Sequence, residues 1–177
     1  MKTLKNQFLL ILLALGLTPS AFAGVHVEPF LGYAVSGEAK QGSSKDDYNG
    51  GPIIGGRLGY GMLGFFVAAE YEMGTLTQKS TPEVDVDVKN LGVSLGFEFP
   101  ILLRIYGTYF FNAKGDASSN EYKGSGTKLG VGYTGLPFVA INFEMNNFSY
   151  DEVNGATLSP ELETTYYTIN VSLPLNF

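Results

Sequence analysis

Cysteine is absent from the 177 residues and histidine occurs once, at His26. Without cysteine there is no disulfide framework, no thiolate metal centre and no cysteine nucleophile. Basic residues are scarce as well, 11 Lys and Arg against 17 Asp and Glu. That balance argues against a nucleic-acid partner, whose phosphates demand an excess of positive charge. Long hydrophobic runs are limited to one, Phe8 to Leu17, which is too short to cross a bilayer as a helix. It follows Lys2 and Lys5 and is succeeded by Thr18-Pro19-Ser20 and by Ala21-Phe22-Ala23. A basic start, an apolar run and a small-x-small ending make a secretory signal peptide. The expected division is therefore a signal peptide over residues 1–23, cleaved near Ala23, and one mature domain over 24–177. No second long run follows, so no transmembrane helix is expected.

What is plentiful is glycine and aromatic residues: 23 Gly, 13 Phe and 11 Tyr. The apolar residues of the mature chain alternate, which is the period of a strand with one apolar face. Val25, Val27, Leu31, Tyr33 and Val35 share a face, against His26, Glu28, Phe30, Gly32, Ala34 and Ser36. The same pattern recurs over Phe65–Gly74, Leu91–Phe99, Leu103–Asn112 and Val139–Asn146, with weaker glycine-rich strands near Pro52–Tyr60 and Thr127–Tyr133. Val84, Val86 and Val88 alternate out of phase with Leu91 onward, so a bulge or strand boundary near Lys89-Asn90 is expected to reset the register. Tight turns read at Gly61-Met62-Leu63-Gly64, Pro100-Ile101-Leu102 and Gly135-Leu136-Pro137. Longer polar links run from about Glu38 to Gly50, Gln78 to Asp87, Lys114 to Gly126 and Asp151 to Glu163.

Alternation alone does not say which face points inward. A water-facing strand surface carries many charged and long polar side chains. Here the polar face is mostly Gly, Ala and Ser, as the narrow lumen of an eight-stranded barrel requires, while the other face is nearly free of charge. Tyr33, Tyr71, Tyr109 and Tyr167 fall towards the long links; Tyr60, Phe65, Phe97, Phe99, Tyr133 and Phe177 fall towards the short turns. Two aromatic girdles at the two faces of a bilayer explain that distribution. The fold class is all-β: a closed, antiparallel, up-and-down transmembrane barrel of eight strands.

The last strand sharpens this. Tyr167, Ile169, Val171, Leu173, Leu175 and Phe177 hold every second position up to the final residue. In this the chain resembles the bacterial outer-membrane barrel superfamily, and it looks similar to the small eight-stranded members of the OmpA, OmpX and OmpW type. The resemblance implies an outer-membrane location and a terminal strand read by the barrel-assembly machinery. It also implies that the partners are outer-membrane lipid and lipopolysaccharide, with the barrel a monomer. Pro29 and Pro174 lie in the first and last strands, so the closing seam is expected to be weaker or bulged there.

Residues that announce a chemistry are few. Outer-membrane lipid hydrolases and acyl transferases of this size pair a histidine with a serine near the outer end, whereas His26 falls at the opposite end. Gly130-Val131-Gly132-Tyr133-Thr134-Gly135 matches a dinucleotide-binding fingerprint literally but sits in an alternating strand, not between a parallel strand and a helix. Glu83, Asp85 and Asp87 put three carboxylates on one face, a cluster that suits either a divalent cation or plain solvation. No enzyme activity and no cofactor are expected.

The inward face carries Glu28, Arg57, Glu70, Glu72, Glu98, Arg104, Lys128 and Glu144. Both signs within a membrane barrel imply ion pairing. Hairpin symmetry predicts three cross-strand pairs: Arg57 with Glu70, Glu98 with Arg104 about Ile101, and Lys128 with Glu144 about Leu136. A plugged lumen, not a pore, is the expected result. Function is then a structural or surface-interaction role through four long extracellular loops. The alternative is a small transport barrel, with Phe30, Phe66, Tyr106 and Phe110 lining a pocket for a small solute or apolar ligand.

Overall fold

The computed structural model describes residues 23–79 and 84–177. The expected signal peptide, apart from Ala23, and Glu83 of the acidic cluster lie outside them. Eight long strands follow one another: β1 Gly24–Gln41, β2 Ser44–Met62, β3 Phe65–Gln78, β4 Val84–Phe99, β5 Leu103–Ala117, β6 Asn120–Leu136, β7 Val139–Val153 and β8 Ala156–Ser172. Each pairs antiparallel with the next, and β1 pairs with both β2 and β8, so the sheet closes into an eight-stranded up-and-down barrel. Pro174 has no amide hydrogen to give, and β8 stops just before it. A two-residue strand, β9 Leu175–Asn176, resumes the ladder against Val27 and His26. Leu173 N–H donates to Pro29 O at 3.0 Å, and Phe177 and Val25 exchange two bonds at 3.0 Å, so the seam is paired on both sides of the interruption.

Closure decides where the side chains go. Leu31, Ile54, Leu58, Phe65, Leu95, Ile105, Leu129, Phe143 and Ile169 all point outward and are exposed. Burying such a side chain is worth about 1.5–3 kcal/mol, and soluble monomers rarely leave a continuous apolar belt uncovered. Hydrocarbon is the solvent that suits it. The tyrosines and phenylalanines at the belt's edges also point outward, and Phe65, Phe97 and Phe99 form a contiguous cluster with centroids 4.5 and 4.8 Å apart. The three turns at that end carry apolar residues at their tips. Leu63, Leu102 and Phe138 adopt left-handed φ of 54°, 64° and 61°, a conformation usually left to glycine or asparagine. Their exposed apolar side chains suit turns that rest at the membrane boundary.

The opposite end differs from the sequence reading. Three of the four links expected to be long loops are continuous strand ladder, closed by two-residue turns at Gly42-Ser43, Ser118-Ser119 and Asn154-Gly155. The remaining one spans Lys79 to Glu83, also shorter than expected. A transmembrane strand needs about 9–11 residues, and these have 14 to 19. The excess forms a crown of paired strands beyond the apolar belt. Its polar composition suggested loops, but backbone pairing continues whatever the side chains, provided both faces find a suitable solvent.

Above the belt the polarity of the wall inverts. On β4, Asn90, Gly92 and Ser94 face inward along the belt and Val93 and Leu95 outward; higher up, Val86 and Val88 face inward and Asp85, Asp87 and Lys89 outward. The even positions face the lumen throughout, so no register reset occurs at Lys89-Asn90. The nearby bulge belongs to β5, at Phe111. Bulges near Val35 in β1 and Asn49 in β2 switch parity in their strands. The crown is thus an ordinary soluble barrel, apolar inside and polar outside, set on an inverted membrane barrel. Its outer wall is tied by Thr75 Oγ1 donating to Asp87 at 2.7 Å and Thr77 Oγ1 to Asp85 at 2.9 Å. Those bonds occupy two members of the expected acidic cluster as wall ties. Lys40 and Lys45 clasp Glu38 and hold its carboxyl down to about 2.

Candidate functional site

Within the belt, the lumen is filled by ionisable side chains held at less than 2 % exposure. Arg57 is the hub. It faces Glu70 directly across β2 and β3, and its Nε donates to Glu70 Oε2 at 2.8 Å. Its Nη1 reaches Glu28 Oε1 at 3.1 Å and its Nη2 reaches Glu144 Oε1, across the lumen, at 3.0 Å. Lys128 Nζ donates to Glu70 Oε1 at 2.7 Å, contacts Glu72 closely and stands 3.6 Å from Glu144 Oε2. Arg104 donates through Nη2 to Glu28 and to Ser172 Oγ, the latter at 3.0 Å, and through Nε to Asn142 Oδ1 at 2.9 Å. Thr108 and Ser94 add hydroxyl bonds to Glu70, and Asn90 Nδ2 donates to Glu72 Oε1 at 2.9 Å. A carboxylate held by two or three donors at this depth is stable only while those donors stay.

The three expected pairs are placed as follows. Arg57 and Glu70 are partners. Glu98 and Arg104 are opposite one another, but the carboxylate, a quarter exposed, stands 3.9 Å from Nη1 while Arg104 turns to Glu28. Lys128 is opposite Asn146, and Glu144 is opposite Gly130. The β6–β7 ladder is centred on Pro137, one residue beyond the expected Leu136, so that cross-strand pair is displaced. Lys128 and Glu144 still meet through the length of the lysine. The hairpin picture missed that a lumen this narrow lets one guanidinium bridge three strands, contacts between residues far apart in sequence that turn symmetry does not reveal.

The aromatic residues expected to line a solute pocket instead pack on these cations. The Arg57 guanidinium lies 4.3 Å from the Tyr106 ring and 5.0 Å from Phe30, and Lys128 Nζ lies 5.2 Å from both Phe30 and Phe110. Tyr106 hydroxyl donates to Glu144. The ring fits because Gly130 has no side chain: a Cβ there would collide with it. This clearance accounts for the first glycine of the literal nucleotide fingerprint, and a Cβ on the second, Gly132, would meet Asn142 and Arg104. His26, at the end nearest Phe177, stacks on Phe66 at 4.8 Å; its Nδ1 contacts Asn176 at 2.9 Å and its Nε2 contacts Glu28 at 3.2 Å.

Above the plug, Phe110, Phe148 and Tyr166 form an aromatic layer with Phe148–Tyr166 centroids 5.7 Å apart. Over it the crown encloses a cup of about 210 Å³, walled by Tyr48, Tyr122, Tyr150, Tyr166, Leu76 and Val88. Gln41, Ser44, Asp46 and Gln78 lie around its mouth. No sequence reading identified this cup, because the residues that build it sat in segments taken for loops. Their alternation, Val84, Val86, Val88 above all, was the available signal. A shallow apolar depression over Gly107 lies on the outer wall, where hydrocarbon covers it.

No protein-family model matches this chain, and no curated protein matches it in sequence. Solved structures do match in shape. Neisserial surface protein A superposes with a TM-score of 0.59 at 17 % identity, over 86 % of this chain and 97 % of that one. Ail, the attachment invasion locus protein of Yersinia pestis, gives 0.59 at 11 % identity, over 87 % and 100 %. This chain has the fold of the small eight-stranded outer-membrane barrels.

Proposed function

We propose that the protein is a non-enzymatic, non-conducting barrel of the bacterial outer membrane that holds a rigid crown of strands at the cell surface for contact with a partner. The filled lumen carries this reading. Arg57, Arg104 and Lys128 knit six strands across the full bore, and an aromatic layer covers them. The inverted polarity of the crown supports its standing in water beyond the membrane. Two structural neighbours carry names that speak of surface and attachment. The expected role through four long loops becomes a role through paired hairpins.

Purified barrel in a planar bilayer is expected to show no steady current. Stable openings of porin size would overturn the plugged reading and favour transport. In intact cells, Lys45 and Lys123, at the crown, are expected to react with a membrane-impermeant amine reagent; labelling only after the outer membrane is opened would place the crown on the inner side.

The terminal strand bears on biogenesis. Tyr167, Ile169, Val171, Leu173, Leu175 and Phe177 line the lipid-facing side of β8 and β9, with Phe177 76 % exposed. This is the pattern offered to the barrel-assembly machinery. Deleting Phe177 is expected to lower the amount of heat-modifiable, folded barrel several-fold in cells, with the leader cleaved near Ala23 as before. Unchanged folded levels would remove the recognition role.

A further inference from the structure

The cup in the crown has a chemistry of its own. Four tyrosine rings wall it, with Tyr122 and Tyr150 edge to face at 6.4 Å. One carboxylate, Asp46, lies at its mouth, and among the described residues no lysine or arginine lines it. Tyrosine faces carry negative potential, and rings arranged around a concave space attract cations, more strongly once water is displaced.

A second observation, from below the floor, points the same way. Four fully buried carboxyl groups, Glu28, Glu70, Glu72 and Glu144, share the plug with Arg57, Arg104, Lys128 and His26, and His26 contacts Glu28 at 3.2 Å. Glu72 is the carboxyl group beneath the cup. Glu72 has Lys128 as its cationic neighbour, and Lys128 is shared with Glu70 and Glu144. The Tyr166 hydroxyl, part of the cup's lining, points at Glu72 Oε1 from 3.5 Å. Glu72 beneath the floor and Asp46 at the mouth put an acidic side chain at each end of the cavity, and among the described residues no lysine or arginine lines the space between.

The size limits the occupant. A cavity of about 150 Å³ accommodates benzene, and pockets for drug-sized ligands begin at roughly 300 Å³. At about 210 Å³ this one holds a single ring or short branched chain with a compact head group. We infer that the crown cup is a binding site for a small organic cation, an ammonium group on an apolar body of about one ring. The ammonium sits among the tyrosine faces and the apolar body lies against Leu76 and Val88. This deepens the surface-contact reading and rests on it only for access from outside.

The test uses refolded full-length barrel in maltoside micelles; phosphocholine detergents are avoided because their own head group is a quaternary ammonium. Benzyltrimethylammonium is titrated against neopentylbenzene, its neutral isostere with carbon in place of nitrogen, with tyrosine-ring NMR signals as the readout. The cation is expected to bind at least ten-fold tighter and to shift the rings of Tyr48, Tyr122, Tyr150 and Tyr166. Asp46→Asn, at the exposed mouth, is expected to weaken the cation several-fold and leave the neutral compound unchanged. Equal or tighter binding of neopentylbenzene would overturn the cation assignment. Shifts confined to residues outside the cup, or none for either compound, would overturn the site. None of these outcomes alters the conductance result, so the two readings fail separately.

Discussion

Replacing Arg57 by methionine is expected to destabilise the barrel by on the order of 4 kcal/mol, measured as unfolding by denaturant in detergent or vesicles. The magnitude follows from what is left behind. Glu28, Glu70 and Glu144 each lose a hydrogen-bonded guanidinium, and all three sit within a wall that water does not reach. Removing one partner of a buried ion pair costs far more than the pair contributes, because the stranded charge keeps its full desolvation penalty. Adding Glu70→Gln to Arg57→Met should recover part of the loss, with a coupling of about 1–3 kcal/mol. Simple additivity of the two changes would mean that they do not interact. The crown supplies an internal contrast: Lys123→Met removes exposed pairs with Glu121 and Glu152 and should leave the unfolding midpoint nearly unchanged.

Gly130→Leu is expected to be as damaging by another route. The position faces the lumen, and the space a side chain would need is held by the Tyr106 ring. Tyr106 cannot step aside without giving up its bond to Glu144 and its stacking on Arg57. Overpacking alone costs about 1–3 kcal/mol, and the lost polar contacts raise the total to roughly 4 kcal/mol. Tyr106→Ala added to Gly130→Leu should be less unstable than Gly130→Leu alone, since the leucine then enters the vacated volume. If the double variant is the worse of the two, the clash is not what sets the cost.

These sites show what the sequence could and could not reveal. The belt was legible because hydrocarbon is an unforgiving solvent: a charge at Leu95 or Ile105 would be costly, so alternation there is nearly pure. Side-chain direction for all eight lumen charges followed from that alternation. The crown was not legible by the same rule. With water outside and apolar contacts within, its strands reverse the sense of the pattern, and the bulges near Val35, Asn49 and Phe111 shift parity close to the change. Glycine, serine, asparagine and lysine in those stretches imitate loop composition, yet Gly37 and Gly51 lie within continuous ladders. The partners of Arg57 were only one-third legible. Glu70 lies across its own hairpin, whereas Glu28 and Glu144 depend on how the closed sheet curves back on itself.

The ladder pairing of the crown bears on how an immune system would see this protein. In a hairpin such as Gly37–Tyr48, side chains from β1 and β2 alternate across the outer wall, and the turn itself is two residues long. An antibody footprint on that wall therefore joins residues from adjacent strands and hardly any from a single stretch of chain. A peptide copied from one tip, free in solution, lacks the neighbouring hairpins and has little tendency to hold the paired shape. Sera raised against such peptides should bind denatured protein and ignore intact cells, while sera raised against the refolded barrel should do the reverse.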